Sequence, residues 1–220
     1  MSYFSSSTLA AIQSDPNQIV FVYGNARTQF LKDLGPNFAW LSDTHVKLLF
    51  CGMVAFDMKP YGNGTATDFA GILASPTLQC QQYALLTCYL FQVLCPTPPA
   101  TGFQIVNVGW NGGAVGNHAQ ISVEGGSNIF VDPTYGLFAA GVGYDWITSG
   151  RPVPSTYIAD FRQYKSNSPV ASSAAAVYSA LVNGSYKPSD AMYYYRRLAS
   201  MQTQNILSSP QNDIVRPAAA

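Results

Sequence analysis

Residues 116–136, GNHAQISVEGGSNIFVDPTYG, decide how this chain is put together. In NHAQISVE (117–124), Ala119, Ile121 and Val123 alternate with His118, Gln120, Ser122 and Glu124, the period of two that marks a strand with one apolar and one polar face. NIFVDP (128–133) reads as a second strand, and Gly125-Gly126-Ser127 between them as the hairpin turn. If Glu124 and Asn128 close a three-residue loop, Gln120 stands opposite Asp132. His118 and Asp132 then become diagonal neighbours on one face, about 7 Å apart at Cα. A two-residue Gly125-Gly126 turn would put them on opposite faces. Asp132 followed by Pro133 also reads as a plain turn starter, and His118 as an exposed surface histidine. With FQIVNVGW (103–110) ahead of it, the hairpin extends to an antiparallel meander.

Working outward, residues 43–58 place Val46, Leu49, Phe50, Met53 and Val54 on one helical face, with Asp43 and Thr44 as cap candidates and Pro60 as the stop. Residues 59–77 read as a loop with one short helical turn. From Leu78 to Cys95 the chain is apolar almost all round the wheel, which predicts a buried helix. Pro76 keeps Ser75 out of the helical region and Thr77 can cap the next turn, so Cys80 is expected at the third helical position. A thiol there faces the unsatisfied N–H groups of a helix start, which favour the thiolate. The alternative for Cys80 is a packed, inert thiol. Cys51, Cys88 and Cys95 lie in apolar helical surroundings and read as small hydrophobes. Further on, helices are expected at 157–165, 171–183 and 189–206, and residues 207–220 read as a disordered tail.

The composition narrows the function. Of 220 residues 48% are apolar, enough to build a core, whereas only 10% are charged, against about 25% in ordinary soluble domains. Eleven basic residues balance eleven acidic ones and no basic stripe exists, so a nucleic-acid partner is not expected. No apolar run reaches the roughly 20 residues of a membrane span. MSYFSSSTLAAIQSDPNQ lacks the basic and apolar regions of a secretory signal, so the expected location is cytoplasmic, or outside the cell by a leaderless route. The four cysteines form no CxxC pair, and no metal or organic cofactor is expected. His45, after SDT, reads as an exposed helix-start residue. Asn111-Gly112-Gly113-Ala114-Val115-Gly116 reads as a turn, since it lacks GxGxxG spacing and a following helix.

A Cys-His-Asp set has a clear division of labour: the thiolate attacks a carbonyl, the imidazolium protonates the leaving amine, and the carboxylate fixes the ring's tautomer. LQCQQYALLTCYL, GNHAQISVE and NIFVDPTYG, in that order, resemble the transglutaminase-like core of the papain-type cysteine protease superfamily, over residues 40 to 140 or so. The resemblance implies an α+β domain with a buried helix packed on an antiparallel sheet, and a nucleophile Cys80, base His118 and orienting Asp132. The chain departs from that pattern at Gln79, where a glycine near the nucleophile is common, and at Gln120, where an aromatic is common. Oxyanion stabilisation needs a second donor beside the Cys80 N–H, and Gln79, Trp40 and the 61–65 loop are the candidates. The expected organisation is one domain, 1–206, with a core at about 40–140 and a helical C-terminal accessory at about 155–206. The expected activity is acyl transfer from a protein or peptide amide through a thioester, as a protease, glutamine deamidase or transglutaminase. A catalytically inactive module on the same fold is the alternative.

Overall fold

The computed structural model describes residues 2–66, 68–96, 103–109, 117–123, 128–142, 146, 149–186 and 194–197. Among the described residues, six helices, α1 (Ser6–Ser14), α2 (Gln18–Leu34), α3 (Asp43–Met58), α4 (Phe69–Ala74), α5 (Cys80–Leu94) and α6 (Ala171–Asn183), pack around one sheet. Its strands are β1 (Phe103–Gly109), β2 (Asn117–Val123), β3 (Ile129–Asp132), β4 (Leu137–Ala140), β5 (Ile158–Asp160) and β6 (Tyr194–Arg197), in the order β5-β4-β3-β2-β1-β6. All five pairings are antiparallel, so β1 to β5 form a meander and β6 adds to its outer edge. The class is α+β.

The sheet is covered on both sides, and its sequence shows why. Along β3 all four residues are buried. Ile129 and Val131 join Ala119 and Ile121 in the cluster formed with α3 and α5, whereas Phe130 joins Leu137, Ala139 and the α6 residues Val177 and Leu181. A short apolar run bounded by turns is what a strand between two layers requires. Gly52 lets α3 approach the sheet: a Cβ there would lie 2.9 Å from Val131 Cγ1. The β3–β4 turn closes through Gly136 N–H to the Asp132 carbonyl at 2.9 Å, with Gly136 at φ +65° beneath the Phe56 ring, a conformation glycine adopts without strain.

Helix α3 runs over Asp43–Met58 as its periodicity predicts, but its cap is Ser42, whose hydroxyl accepts from the His45 N–H, and not Asp43 or Thr44. The expected helix at 157–165 is instead β5 flanked by two 3-10 turns, Ser155–Tyr157 and Arg162–Lys165, because Ile158–Asp160 pairs with the edge of β4. The helix at 171–183 is present as α6. The helix expected over 189–206 is contradicted at Tyr194–Arg197, which pair with β1. Tyrosine favours strands, and the open edge of β1 offers the pairing. The accessory region is therefore one helix plus two edge strands among the described residues, and the tail expected at 207–220 lies outside them. Strand β4 and the N-terminal helices α1 and α2 extend the fold beyond the elements expected from sequence. Among the described residues, no helix is long and apolar enough to cross a membrane.

Candidate active site

The start of α5 is held by a loop that the chain lays across it. Leu78 N–H donates to the Pro60 carbonyl and Gly62 N–H to the Leu78 carbonyl, both at 3.1 Å. Gln82 Oε1 accepts from the Gln79 N–H at 2.9 Å, and Gln82 Nε2 donates to the Ala66 carbonyl at 2.7 Å. One glutamine thus fixes both the cap residue and the loop. Gly64 is packed so closely that a Cβ there would run into Gln82 Oε1 and lie 2.6 Å from the Thr77 carbonyl. The cap is Gln79 and not Thr77, so Cys80 is the first helical residue and not the third. That change brings the sulfur nearer the helix N-terminus, where the macrodipole is most favourable to an anion. Cys80 is half-buried, whereas Cys51, Cys88 and Cys95 are buried.

Strands β2 and β3 pair through Ile121↔Val131, Ser122↔Phe130 and Val123↔Ile129. Continued one step, this register sets Gln120 against Asp132 and brings His118 onto the same face. His118 and Asp132 meet in a 2.7 Å contact from Nε2 to Oδ2, with side chains only 2% and 0% exposed. The carboxylate takes three further donors: Gln120 Nε2 on Oδ2 at 3.1 Å, and the Thr134 and Tyr135 N–H groups on Oδ1 at 3.1 and 3.2 Å. Asp132 therefore starts a turn and binds the histidine at once, so the two readings of Asp-Pro coexist. The Tyr135 ring stacks on the imidazole with centroids 4.7 Å apart, and Gln120 Nε2 also donates to the Tyr186 hydroxyl at 2.7 Å.

The Cys80 thiol closes the arrangement, in hydrogen-bond contact with the His118 ring and the Ala119 N–H. Since Asp132 engages Nε2, Nδ1 is the nitrogen left for the sulfur. Burial pushes the Cys80 thiol up. The hydrogen bond and charge of His118, with the Ala119 N–H, outweigh burial and leave the thiol below its ordinary value. For His118, burial favours the neutral ring, but the Asp132 carboxylate and the Cys80 contact override it and raise the imidazole above its ordinary value. Both shifts favour a thiolate–imidazolium pair. Cys51 shows the contrast, since burial, with the neighbouring Cys88 and Cys95 thiols adding to it, drives its thiol well above the ordinary range.

Cys80, His118 and Asp132 are thus brought together, and Gln79 adjoins them as the cap residue. Its N–H is committed to the Gln82 side chain and its own side chain accepts from the Gln82 N–H in a reciprocal capping box, which leaves the side-chain NH₂ as the Gln79 group able to donate to a ligand. Trp40 is not brought to the site. It is 52% exposed, in a segment that Asn37 ties to the Thr156 carbonyl beside β5, three strands from β2. The 61–65 loop does reach the site, and the Tyr61 phenol is raised by burial and, in addition, by the nearby Cys80 charge. Sequence reading set Gln120 opposite Asp132, where the two side chains meet at 3.1 Å, but missed Tyr135 and Tyr186 as parts of this network. Tyr186 carries no local signal, since it arrives from 66 residues away. Among the described residues, no group of three or more His, Cys, Asp or Glu side chains could hold a metal ion. No protein-family model matches this chain, and no curated protein or solved structure matches it either.

Proposed function

We propose that this protein is a cysteine-dependent acyl-transfer enzyme acting on protein or peptide amides, built on a transglutaminase-like core. The single observation that carries the reading is a buried histidine held between a helix-start thiol and a fully accepted carboxylate. In the proposed reaction the Cys80 thiolate attacks the amide carbonyl, forming a C–S bond and a tetrahedral oxyanion. Collapse breaks the C–N bond, and the departing amine takes the proton that His118 held on Nδ1. Water or an amine, deprotonated by the now neutral imidazole, attacks the thioester and releases Cys80. Asp132 holds the ring orientation throughout and stabilises the imidazolium. The Cys80 N–H, at a helix start, is aimed as an oxyanion donor, and the Gln79 side chain is the candidate for the second.

The order of elements supports the core assignment: a capped helix bearing the cysteine packs on an antiparallel sheet, and adjacent strands supply the histidine and then the aspartate. The test is denaturing mass spectrometry of the intact chain after exposure to an activated acyl ester. A covalent acyl adduct on Cys80 that decays with time, faster when a primary amine is added, is the expected result. Its absence in the wild type, or an equal adduct in Cys80→Ala, rules out the reading.

A further inference from the structure

A cleft of about 220 Å³ opens beside the site, with Tyr135 as a shared wall: this ring lines the cleft and also stacks on His118. Its floor is apolar, from Phe56, Val170 and Ala174. Its polar lining is lopsided, because Arg162 and Lys165 contribute and no carboxylate does. Arg162 is already paired with Asp160 through two contacts, at 2.9 and 2.6 Å, so its charge is largely answered. Lys165 is different. Its ammonium donates to the Lys59 carbonyl at 2.6 Å and lies 4.6 Å from the Phe56 ring centroid. The acid whose charge acts on it, Asp57, accepts the Phe4 N–H at 2.7 Å.

The N-terminus of α6 opens on the same cleft. Val170 stands at its cap position, so no side chain caps it, and its first turn holds no acidic residue. The positive end of this thirteen-residue helix therefore lacks the usual anionic or hydroxyl partner, although its first N–H, on Ala171, already donates to the Ser168 carbonyl at 3.0 Å. Two further observations are independent of the helix. Thr134, 1% exposed, and Ser168 line the cleft, and their hydroxyl oxygens, both buried, have no hydrogen-bond partner among the described residues. An unsatisfied buried hydroxyl is costly to a folded chain, which is reason to expect a ligand acceptor to meet them. A group that accepts from two hydroxyls and from a lysine, near the positive end of a helix, is an oxyanion, and the apolar floor asks for a compact hydrocarbon part attached to it.

We propose that this cleft binds the carboxylate of a small acid or peptide end bearing a short apolar group. The site stands whether or not Cys80 is a nucleophile, and its test needs no turnover. The full-length protein is titrated calorimetrically with N-acetyl-L-alanine, N-acetyl-L-alaninamide, butyrate and inorganic phosphate. N-acetyl-L-alanine should saturate, with the neutral amide at least about tenfold weaker, the loss expected for one charge-assisted hydrogen bond. Butyrate equal to N-acetyl-L-alanine identifies a free acid as the ligand, and butyrate much weaker identifies a peptide terminus. Thr134→Val and Ser168→Ala should each weaken binding several-fold without lowering Tm, since each removes an unsatisfied hydroxyl from the free protein. Cys80→Ala should bind as wild type does, which separates this site from the proposed chemistry. Acid and amide of equal affinity, no saturation, tighter binding of phosphate than of either acid, or hydroxyl variants that bind normally would each overturn the proposal.

Discussion

Replacing Asp132 by asparagine tests the site at the atom where its logic is concentrated. The carboxylate accepts four donors: two fixed backbone N–H groups on Oδ1, and His118 and Gln120 on Oδ2. An amide offers one oxygen, and the backbone donors cannot move, so the oxygen keeps the turn and the NH₂ takes the place of Oδ2. His118 Nε2 must then accept, which forces the ring proton onto Nδ1, the nitrogen facing Cys80. The imidazole can no longer take a proton there. Gln120 can flip its amide, turning the currently unpartnered Oε1 to the new NH₂ and to the Tyr186 hydroxyl. The flip carries the Gln120 NH₂ to the position where Oε1 now has no partner, so one buried donor loses its acceptors and stability should fall by about 1–3 kcal/mol. What is lost is the charge-assisted bond that holds the imidazolium, worth about 1.5–3 kcal/mol, or roughly a ten- to hundredfold fall in the reactive ion pair. The assay is iodoacetamide alkylation at pH 7, followed by peptide mass spectrometry, with buried Cys51, Cys88 and Cys95 as internal references. Wild-type Cys80 should react fastest of the four, and the Asn variant should slow at Cys80 alone by that factor. An unchanged Cys80 rate in a folded variant would refute the reasoning.

Cys80→Ala should abolish acyl transfer while preserving the circular dichroism spectrum and Tm, because a half-buried helix-start thiol contributes little to the core; turnover in that variant would place the chemistry elsewhere. His118 lies above its ordinary value of 6.5 in the folded chain, so the stability it contributes is complete below that value and drains away as the pH rises through the raised one. Tm measured from pH 6 to 10 should accordingly fall more steeply in wild type than in His118→Gln, and parallel curves would contradict the shift. Gly64→Ala forces Gln82 off the Gln79 N–H, and should cost about 1–3 kcal/mol and slow Cys80 alkylation; a variant melting and labelling like wild type would show that the loop does not brace the helix start.

What could be read from sequence was whatever rests on local pattern. The α3 periodicity, the all-round apolar character of α5 and the alternation in β2 each depend on a few consecutive residues, and the Gln120–Asp132 register follows from loop length between them. What failed depends on partners distant in the chain. Thr77 is a better intrinsic cap than Gln79, yet the contact with Gln82 and the 60–66 loop moves the helix start by two residues. Ile158–Asp160 and Tyr194–Arg197 become strands because two sheet edges need covering, which nothing in either tripeptide or tetrapeptide announces. Trp40, a candidate oxyanion donor, is instead exposed, in the segment that Asn37 ties to the Thr156 carbonyl.

His118 and Asp132 sit on the middle pair of six strands, with two more strands on either side of that pair. Edge strands fray first and central ones exchange their amides only when the sheet as a whole opens. The pair that orients the imidazole is therefore insulated from opening at either margin, and a slip of register by one residue would expel Ile121 and Val131 from the core along with it. The cysteine has no such protection. It stands at a helix end braced by a glycine-bearing loop, so the histidine and aspartate form the stationary half of the site and the sulfur the half whose position can be tuned.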